Sequence, residues 1–314
     1  MRLLFAGSPE IAVPSLLALA KNHRIQAVLT NPDRPAGRNK QPVPTAVKRQ
    51  ALAMNIPVLQ PERLDGAFLE QVSRLEAELL VVVAFGRIFK REFLDLFPRG
   101  GINLHASLLP KHRGASPIAA VILEGDSVTG VSVQQLALKM DAGDILGVRR
   151  LPLRGSETTG SLSRALGDLG AELLATVVEQ FEQDRVQPVR QDDSQATFCS
   201  LVKKEHGLID WGSDAATIER MIRAYDPWPR AFTWFNGRRL NVLSGGVFPQ
   251  DCDAEGKPQG LVLATDNRYG ILVTTGEGVL YVSSLQLQAK KPLDWRSFLN
   301  GQKDIIGAQL GEWQ

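Results

Sequence analysis

Asn103 and His105 stand two positions apart in the stretch NLHASLLPKHRGASPI, residues 103 to 118, downstream of the apolar run LLVVVAF in a chain with only four histidines. An amide N–H beside an imidazole is what a developing oxyanion needs, because both groups can donate hydrogen bonds to it once the imidazole is protonated. Acyl transfer is the chemistry this pair suits. A nearby carboxylate would favour the charged imidazole, and KMDAGDIL, residues 139 to 146, offers Asp141. Asp144 in the same loop is the competing carboxylate, and Asp before Ala-Gly is also ordinary turn chemistry. On spacing alone, Asn103 could cap the end of a strand and His105 could sit satisfied in a core.

The surrounding elements must hold these groups together. RLLFAG, IQAVLTN, IPVLQ, LLVVVAFG and INLHAS are short apolar runs that read as strands. Between them, IAVPSLLALAKN, TAVKRQALAMN and AFLEQVSRLEAE carry apolar residues at three-to-four spacing, as helices lying on a sheet do. This alternation predicts an α/β fold with a mostly parallel, Rossmann-like sheet. Residues i and i+2 of a strand share a face, so Asn103 and His105 point into one volume. In such sheets ligands bind outside the carboxyl ends of the strands, where INLHAS ends. VSVQQLA and GDILGVRRLPL continue the sheet, and TTGSLSRALGDLGAELLATVVEQFEQ reads as a long closing helix. The polar, aperiodic stretch VQPVRQDDSQATFCSLVKKEHG reads as a linker draped over a surface. We place a catalytic domain at 1–187, the linker at 188–203 and a second domain at 204–314. That second domain opens with SDAATIERMIRAY, an amphipathic helix with Ser213 as its expected N-cap and the PWP of residues 227 to 229 as its stop. Short alternating runs punctuated by Gly and Asn follow, the pattern of a smaller antiparallel β-barrel, OB-like in kind.

Composition excludes several classes. The chain has 314 residues, 44% hydrophobic and 22% charged, and no apolar stretch near the roughly 20 residues that cross a bilayer. MRLLFAGSPE reads as a first strand rather than a secretory leader. Cys199 and Cys252 lie far apart and in no metal-ligand spacing, so neither a disulfide framework nor a zinc site is indicated. A reducing cytoplasm is the expected compartment. A net charge of +2 announces no nucleic-acid protein, so any basic surface must be local. GSPE after the first strand is no dinucleotide fingerprint, because only Gly7 of the G-x-G-x-x-G pattern is present.

NLHASLLPKHRGASPI with KMDAGDIL resembles the active-site signature of the folate-dependent formyltransferases, N-x-H-x-S-L-L-P followed by an Asp-x-Gly loop. FAGSPEIAVPSL, NPDRPAGR, IDWGS and IRAYDPWPRAF resemble the tRNA-acting branch of that superfamily over nearly the whole chain. The resemblance implies transfer of a formyl group from 10-formyltetrahydrofolate to the α-amino group of methionyl initiator tRNA, with Asn103, His105 and Asp141 catalytic. It implies that Ser107, Leu108, Leu109 and Pro110 form a folate-contacting turn. Phe85, Gly86, Arg87 and Ile88, at the neighbouring strand end, would supply the rest of that pocket. No metal is required, and a monomer is expected. A formyltransferase acting on an amino sugar nucleotide would share the same catalytic set, and a non-catalytic folate- or RNA-binding module is the more distant alternative.

Residues 33 to 49 hold Arg34, Arg38, Lys40, Lys48 and Arg49 against Asp33, a local charge of +4. Such a run is either a solvated loop or a phosphate-contacting insertion. We expect the latter, with those five residues binding tRNA. From 204 to 314 the net charge is −1, so a phosphate-binding face there needs segregation of Arg220, Arg223, Arg230, Arg238, Arg239, Lys290 and Lys291. Trp211, Trp228 and Trp234 are expected in core or interdomain packing.

Overall fold

The computed structural model describes residues 1–36, 41–250 and 252–311. It forms two compact units. One takes Met1–Pro117, Val128–Pro152 and Leu162–Ser200; the other takes Ile118–Ser127, Leu153–Ser161 and Leu201–Gln314.

The first unit contains β1 (Arg2–Gly7), β2 (Arg24–Leu29), β3 (Arg34–Ala36), β4 (Gln41–Val43), β5 (Val58–Leu59) and β6 (Leu79–Val83). Then come β7 (Gly101–His105), β8 (Arg113–Gly114), β9 (Val128–Gln135), β10 (Ile145–Pro152) and β11 (Phe198–Cys199). Seven strands form the main sheet in the order β10-β9-β7-β6-β1-β2-β5. From β5 through β7 every pairing is parallel, whereas β9 and β10 run antiparallel at one edge. LLVVV of β6 is buried along its whole length, as a central parallel strand with both faces covered must be. Helices α1 (Val13–Asn22), α2 (Ala46–Ala53), α3 (Gly66–Ser73) and α4 (Arg91–Leu94) connect these strands. The helix α5 (Pro117–Glu124) follows β8 in the chain but belongs from Ile118 onward to the second unit, and the long α6 (Thr159–Glu182) follows β10.

Local chemistry explains most boundaries. Thr45 caps α2 by accepting from Lys48 N at 3.1 Å, and Asp65 caps α3 by accepting from Phe68 N at 3.1 Å. The apolar pattern predicts α3 to run on to Glu78, but it stops at Ser73. Glu76 turns at φ +49°, and Glu78 N bonds Arg2 O at 2.8 Å, so strand pairing captures the end of the pattern. Below the sheet, Phe85, Phe89, Phe93 and Phe97 form a run of neighbouring rings, with centroids 5.5, 4.8 and 5.6 Å apart.

His23, where α1 ends, is buried with Nδ1 3.4 Å from the N-terminal ammonium and 3.9 Å from a Glu182 carboxylate oxygen. Burial, then the ammonium, pushes its pKa down; Glu182 and Glu179 oppose this more weakly. An unfolded chain takes up that proton near about pH 6.5, and the folded one resists it. The unfolded state therefore binds more protons, and stability falls as pH drops through that value. We predict that His23→Asn makes Tm less sensitive to acid between about pH 7 and 5. Equal acid sensitivity of both proteins in thermal melts would refute this.

In the second unit β12 (Ala231–Phe235), β13 (Arg238–Val247), β14 (Val262–Asp266), β15 (Gly270–Thr274) and β16 (Val279–Leu287) pair antiparallel in the order β12-β13-β16-β15-β14. A short β17 (Leu293–Asp294) pairs with β16. Asn236 and Gly237 join β12 to β13 at φ +49° and +65°, the positive pair that a two-residue hairpin turn demands and Asn-Gly supplies. Two helices, α7 (Ala215–Ala224) and α8 (Trp295–Gly301), cover the sheet. Ile218 and Ile222 of α7 and Phe298 of α8 join Leu240, Val242, Leu280 and Val282 in one apolar cluster. The N-cap of α7 is Asp214, not Ser213: its carboxylate accepts from Thr217 N at 2.8 Å and Thr217 Oγ1 at 2.6 Å. Trp211 lies in the core and Trp234 is half-buried against Phe232, but Trp228 is 58% exposed, contrary to the packing expected for it.

Candidate active site

Asn103 and His105 lie on β7 between parallel β6 and antiparallel β9. The β7–β9 register sets Gln134 opposite Asn103 and Ser132 opposite His105. Directly opposed residues share a face, so this pairing brings four polar side chains to one side of the sheet. The loop after β9 returns Asp141 to them. Its Oδ1 lies 2.8 Å from Gln134 Nε2, 3.5 Å from Asn103 Nδ2 and 3.7 Å from His105 Nδ1, while Oδ2 accepts from Gly114 N at 2.9 Å. His105 is 6% and Asp141 12% exposed at the side chain.

The other ring nitrogen settles the tautomer. His105 Nε2 is 2.9 Å from His112 O, and a carbonyl only accepts, so Nε2 carries a proton. Nδ1 is the ring nitrogen turned toward Asp141, 3.7 Å from Oδ1. Asp144, the competing carboxylate, uses its main-chain oxygen to accept from Gln135 N. No partner for its carboxylate lies among the described residues.

Asp141 occupies a left-handed conformation, φ +51°, uncommon for a residue other than glycine. The loop is held from behind by Gln191, whose Nε2 donates to Gly143 O at 2.6 Å and Asp141 O at 3.0 Å. Gln191 belongs to the 188–203 stretch read as a surface linker. Instead the side chain is 7% exposed, and β11 of the same stretch pairs with β8 at Arg113 and Gly114. Gln134, Gln191, Arg113 and Gly114 are the residues that spacing did not reveal. Gln134 could have been found only by knowing the β7–β9 register.

The SLLP turn is pinned rather than loose. Ser107 Oγ donates to Lys111 O at 2.6 Å, and Ser132 Oγ donates to Ser107 O at 2.8 Å while accepting from Leu109 N at 3.1 Å. Leu109 is buried, Leu108 and Pro110 half-buried, and Leu109–Pro110 is a cis peptide. At the end of β6, the Phe85 ring is in the core, stacked on Phe89, and Gly86 turns at φ +76°. Arg87 is occupied: Nε donates to Asn31 Oδ1 at 2.8 Å and Nη1 to Pro61 O at 2.9 Å. Ile88 is 72% exposed. Of this group, therefore, Ile88 has the side chain free to meet a ligand.

The basic segment is less free than its charge count predicts. Arg38 and Lys40 lie outside the described residues. Lys48 Nζ sits 2.6 Å from Asp33 Oδ2, and Arg49 Nη2 sits 2.6 Å from Glu10 Oε1. Hydrogen bonds from Lys48 and then Gln60 hold the Asp33 carboxyl below its usual range. Arg34 is exposed on β3, which pairs with β4 as a hairpin. Several second-domain candidates are likewise committed. Arg220 Nε donates to Leu123 O, Arg223 pairs with Glu219, Arg230 bonds Gln286, Arg238 bonds Gln302, and Arg239 stacks 3.7 Å over the Phe232 ring. Lys290 and Lys291 are exposed.

Residues 1–178 match the formyl transferase family and residues 201–303 match the formyl transferase C-terminal domain. The chain belongs to the formyl transferase family. It is 44% identical, over 317 residues, to the methionyl-tRNA formyltransferase of Treponema denticola, with 98% of each chain covered. Among solved structures, an N-formyltransferase from Helicobacter canadensis in complex with folinic acid and dTDP-3-aminofucose has a TM-score of 0.68 at 19% identity, covering 91% of this chain and 99% of that one. The methionyl-tRNA formyltransferase from Clostridium thermocellum has a TM-score of 0.56 at 19% identity, covering 80% of this chain and 95% of that one. At that identity both show a shared fold.

Proposed function

We propose that this chain is a methionyl-tRNA formyltransferase: it transfers the formyl group of 10-formyltetrahydrofolate to the α-amino group of methionyl initiator tRNA, for translation initiation. Family membership supports formyl transfer with a folate co-substrate, and 44% identity along nearly the whole chain supports the tRNA acceptor. The observation that carries the reading is the convergence of Asn103 Nδ2 and His105 Nδ1 on one Asp141 oxygen, at 3.5 and 3.7 Å. A formyl oxygen placed there meets two donors as it becomes negative.

In this reaction the amine lone pair forms the N–C bond and the carbonyl π pair moves to oxygen. Asn103 and protonated His105 hold that oxyanion, and Asp141 orients His105 and balances its charge. Collapse of the intermediate breaks the bond to N10 of the folate, which accepts a proton as the attacking amine loses one through the His105–Asp141 pair. The Ser107–Pro110 turn and the 85–88 strand end hold the folate. We assign catalysis to 1–187, connection to 188–203 and tRNA contact to 204–314. No helix among the described residues is long and apolar enough to cross a membrane, and we place the enzyme in the cytoplasm, acting as a monomer.

The test offers labelled 10-formyltetrahydrofolate with charged methionyl-tRNA, uncharged tRNA and amino sugar nucleotides in parallel. Label in methionyl-tRNA alone supports the proposal; label in an amino sugar instead refutes it. We also predict that log affinity for tRNA falls linearly with log salt, while folate affinity changes far less. Arg34 and Arg38 should each account for a slope of about 0.7 to 0.9. Lys48 and Arg49, already paired, should account for less. A flat titration would rule out an electrostatic docking surface.

A further inference from the structure

We infer that Gln191 is a positioning residue for the transfer reaction, acting as a clamp that fixes the main chain under Asp141. The inference rests on the catalytic role proposed above for Asp141. Its basis is a closed circuit of contacts. Arg113, 1% exposed, donates from Nε and Nη2 to Gln191 Oε1 at 3.1 and 2.8 Å. Gln191 Nε2 faces Gly143 O, Asp141 O and Gln134 Oε1 at 2.6, 3.0 and 3.3 Å. The Asp141 carboxylate then accepts from Gln134 Nε2 and from Gly114 N, and Gly114 is the residue bonded to Arg113. β11, eight residues after Gln191 at its second strand position, pairs with Arg113 and Gly114 and ties both ends of the circuit to one segment.

Chemistry fixes which end of the amide does what. A guanidinium only donates, so it must meet Oε1, and the two N–H groups are left for the loop carbonyls. Both carbonyls belong to the loop on which Asp141 adopts its left-handed conformation. A reacting group moved by about 1 Å can lose about 10²-fold in rate, and the gaps between Asp141 and its two catalytic neighbours are already 3.5 and 3.7 Å. Holding the loop from behind is therefore a way to hold the reaction volume. Arg113 has its own external hold, Nη1 lying 2.7 Å from Asp193 Oδ1.

Gln191→Glu separates a clamp from a mere anchor for Arg113. It keeps the length of the side chain and the partner of Arg113 but has no N–H to donate. In single-turnover transfer to methionyl-tRNA, we expect the full-length variant to lose roughly 10- to 100-fold in rate. KM for both substrates should stay within about twofold, and amide hydrogen exchange should accelerate in residues 139–144 but not elsewhere in the unit. Gln191→Met, which loses both ends of the contact, should show the same loss and accelerate exchange around Arg113 as well. A wild-type rate in Gln191→Glu, or a slow rate with unchanged exchange in 139–144, overturns the clamp. If the wild-type protein itself transfers no formyl group to methionyl-tRNA, the proposed function fails, and the exchange comparison alone then decides whether Gln191 fixes the loop.

Discussion

Asp141→Asn should lower kcat by roughly 10² to 10⁴ while leaving folate binding largely in place, the range typical of a lost acid/base or oxyanion partner. The site explains why so conservative a change costs so much. Every group facing the Asp141 carboxylate is a donor or can become one: Gln134 Nε2, Asn103 Nδ2, Gly114 N and His105 Nδ1. An asparagine must turn its own NH₂ toward one of them, leaving a buried donor unsatisfied at about 1–3 kcal/mol. It also removes the negative charge that stands 3.7 Å from His105 Nδ1. His105→Ala should be similarly severe. The double variant should be far less than additive, because the two side chains act as one unit. Asp144→Asn is the internal control: its carboxylate has no partner among the described residues, and turnover should stay near wild type. Single-turnover rates in the four proteins decide the matter. Loss in Asp144→Asn with Asp141→Asn unaffected would reverse the two assignments.

The parts of this site that were legible in the sequence are those set by local periodicity. Asn103 and His105 are two apart on a strand, and a two-residue period fixes their common face without knowledge of any neighbour. The α/β alternation and the antiparallel class of the second half were readable for the same reason. What escaped depends on pairing across long separations. Gln134 and Ser132 reach the site because β9 runs antiparallel to β7 in one register, and VSVQQLA alone fits either register. Gln191 stands in a stretch with no periodicity, where polar composition suggests solvent; it is buried because Arg113, 78 residues away, needs an acceptor. Charge counting misled in the same way. Lys48 and Arg49 add to a basic run when summed, yet each has an acidic partner, one of them 39 residues distant at Glu10. Ser213 was expected to cap α7, but the helix begins at Ala215, so Asp214 stands at the cap position and accepts from Thr217 N.

Gly114→Ala should be among the most damaging single methyl groups that can be added to the first unit, losing about 3 kcal/mol or more of stability together with most of the activity. Two independent costs meet there. Gly114 has φ +123°, which residues with a side chain rarely adopt, and a Cβ built on it would lie 2.1 Å from Cys199 O. The obstacle is main chain in the paired strand β11, so relief requires the β8–β11 pairing to open. Opening it moves Gly114 N away from Asp141 Oδ2 and Arg113 away from Gln191, so the loss of stability and the loss of catalysis have one cause. Gly66→Ala is the matched control. It lies at the start of α3, and a methyl group added there would meet nothing within 4 Å, so the change should be neutral or stabilising by about 0.4–1 kcal/mol. Urea midpoints at unchanged slope measure the first quantity and single-turnover rates the second. A Gly114→Ala protein with a wild-type midpoint would mean that β8 and β11 are not held as closely as the structure describes. A protein with a lowered midpoint but full activity below the transition would mean that the Gly114 N–H does not position Asp141.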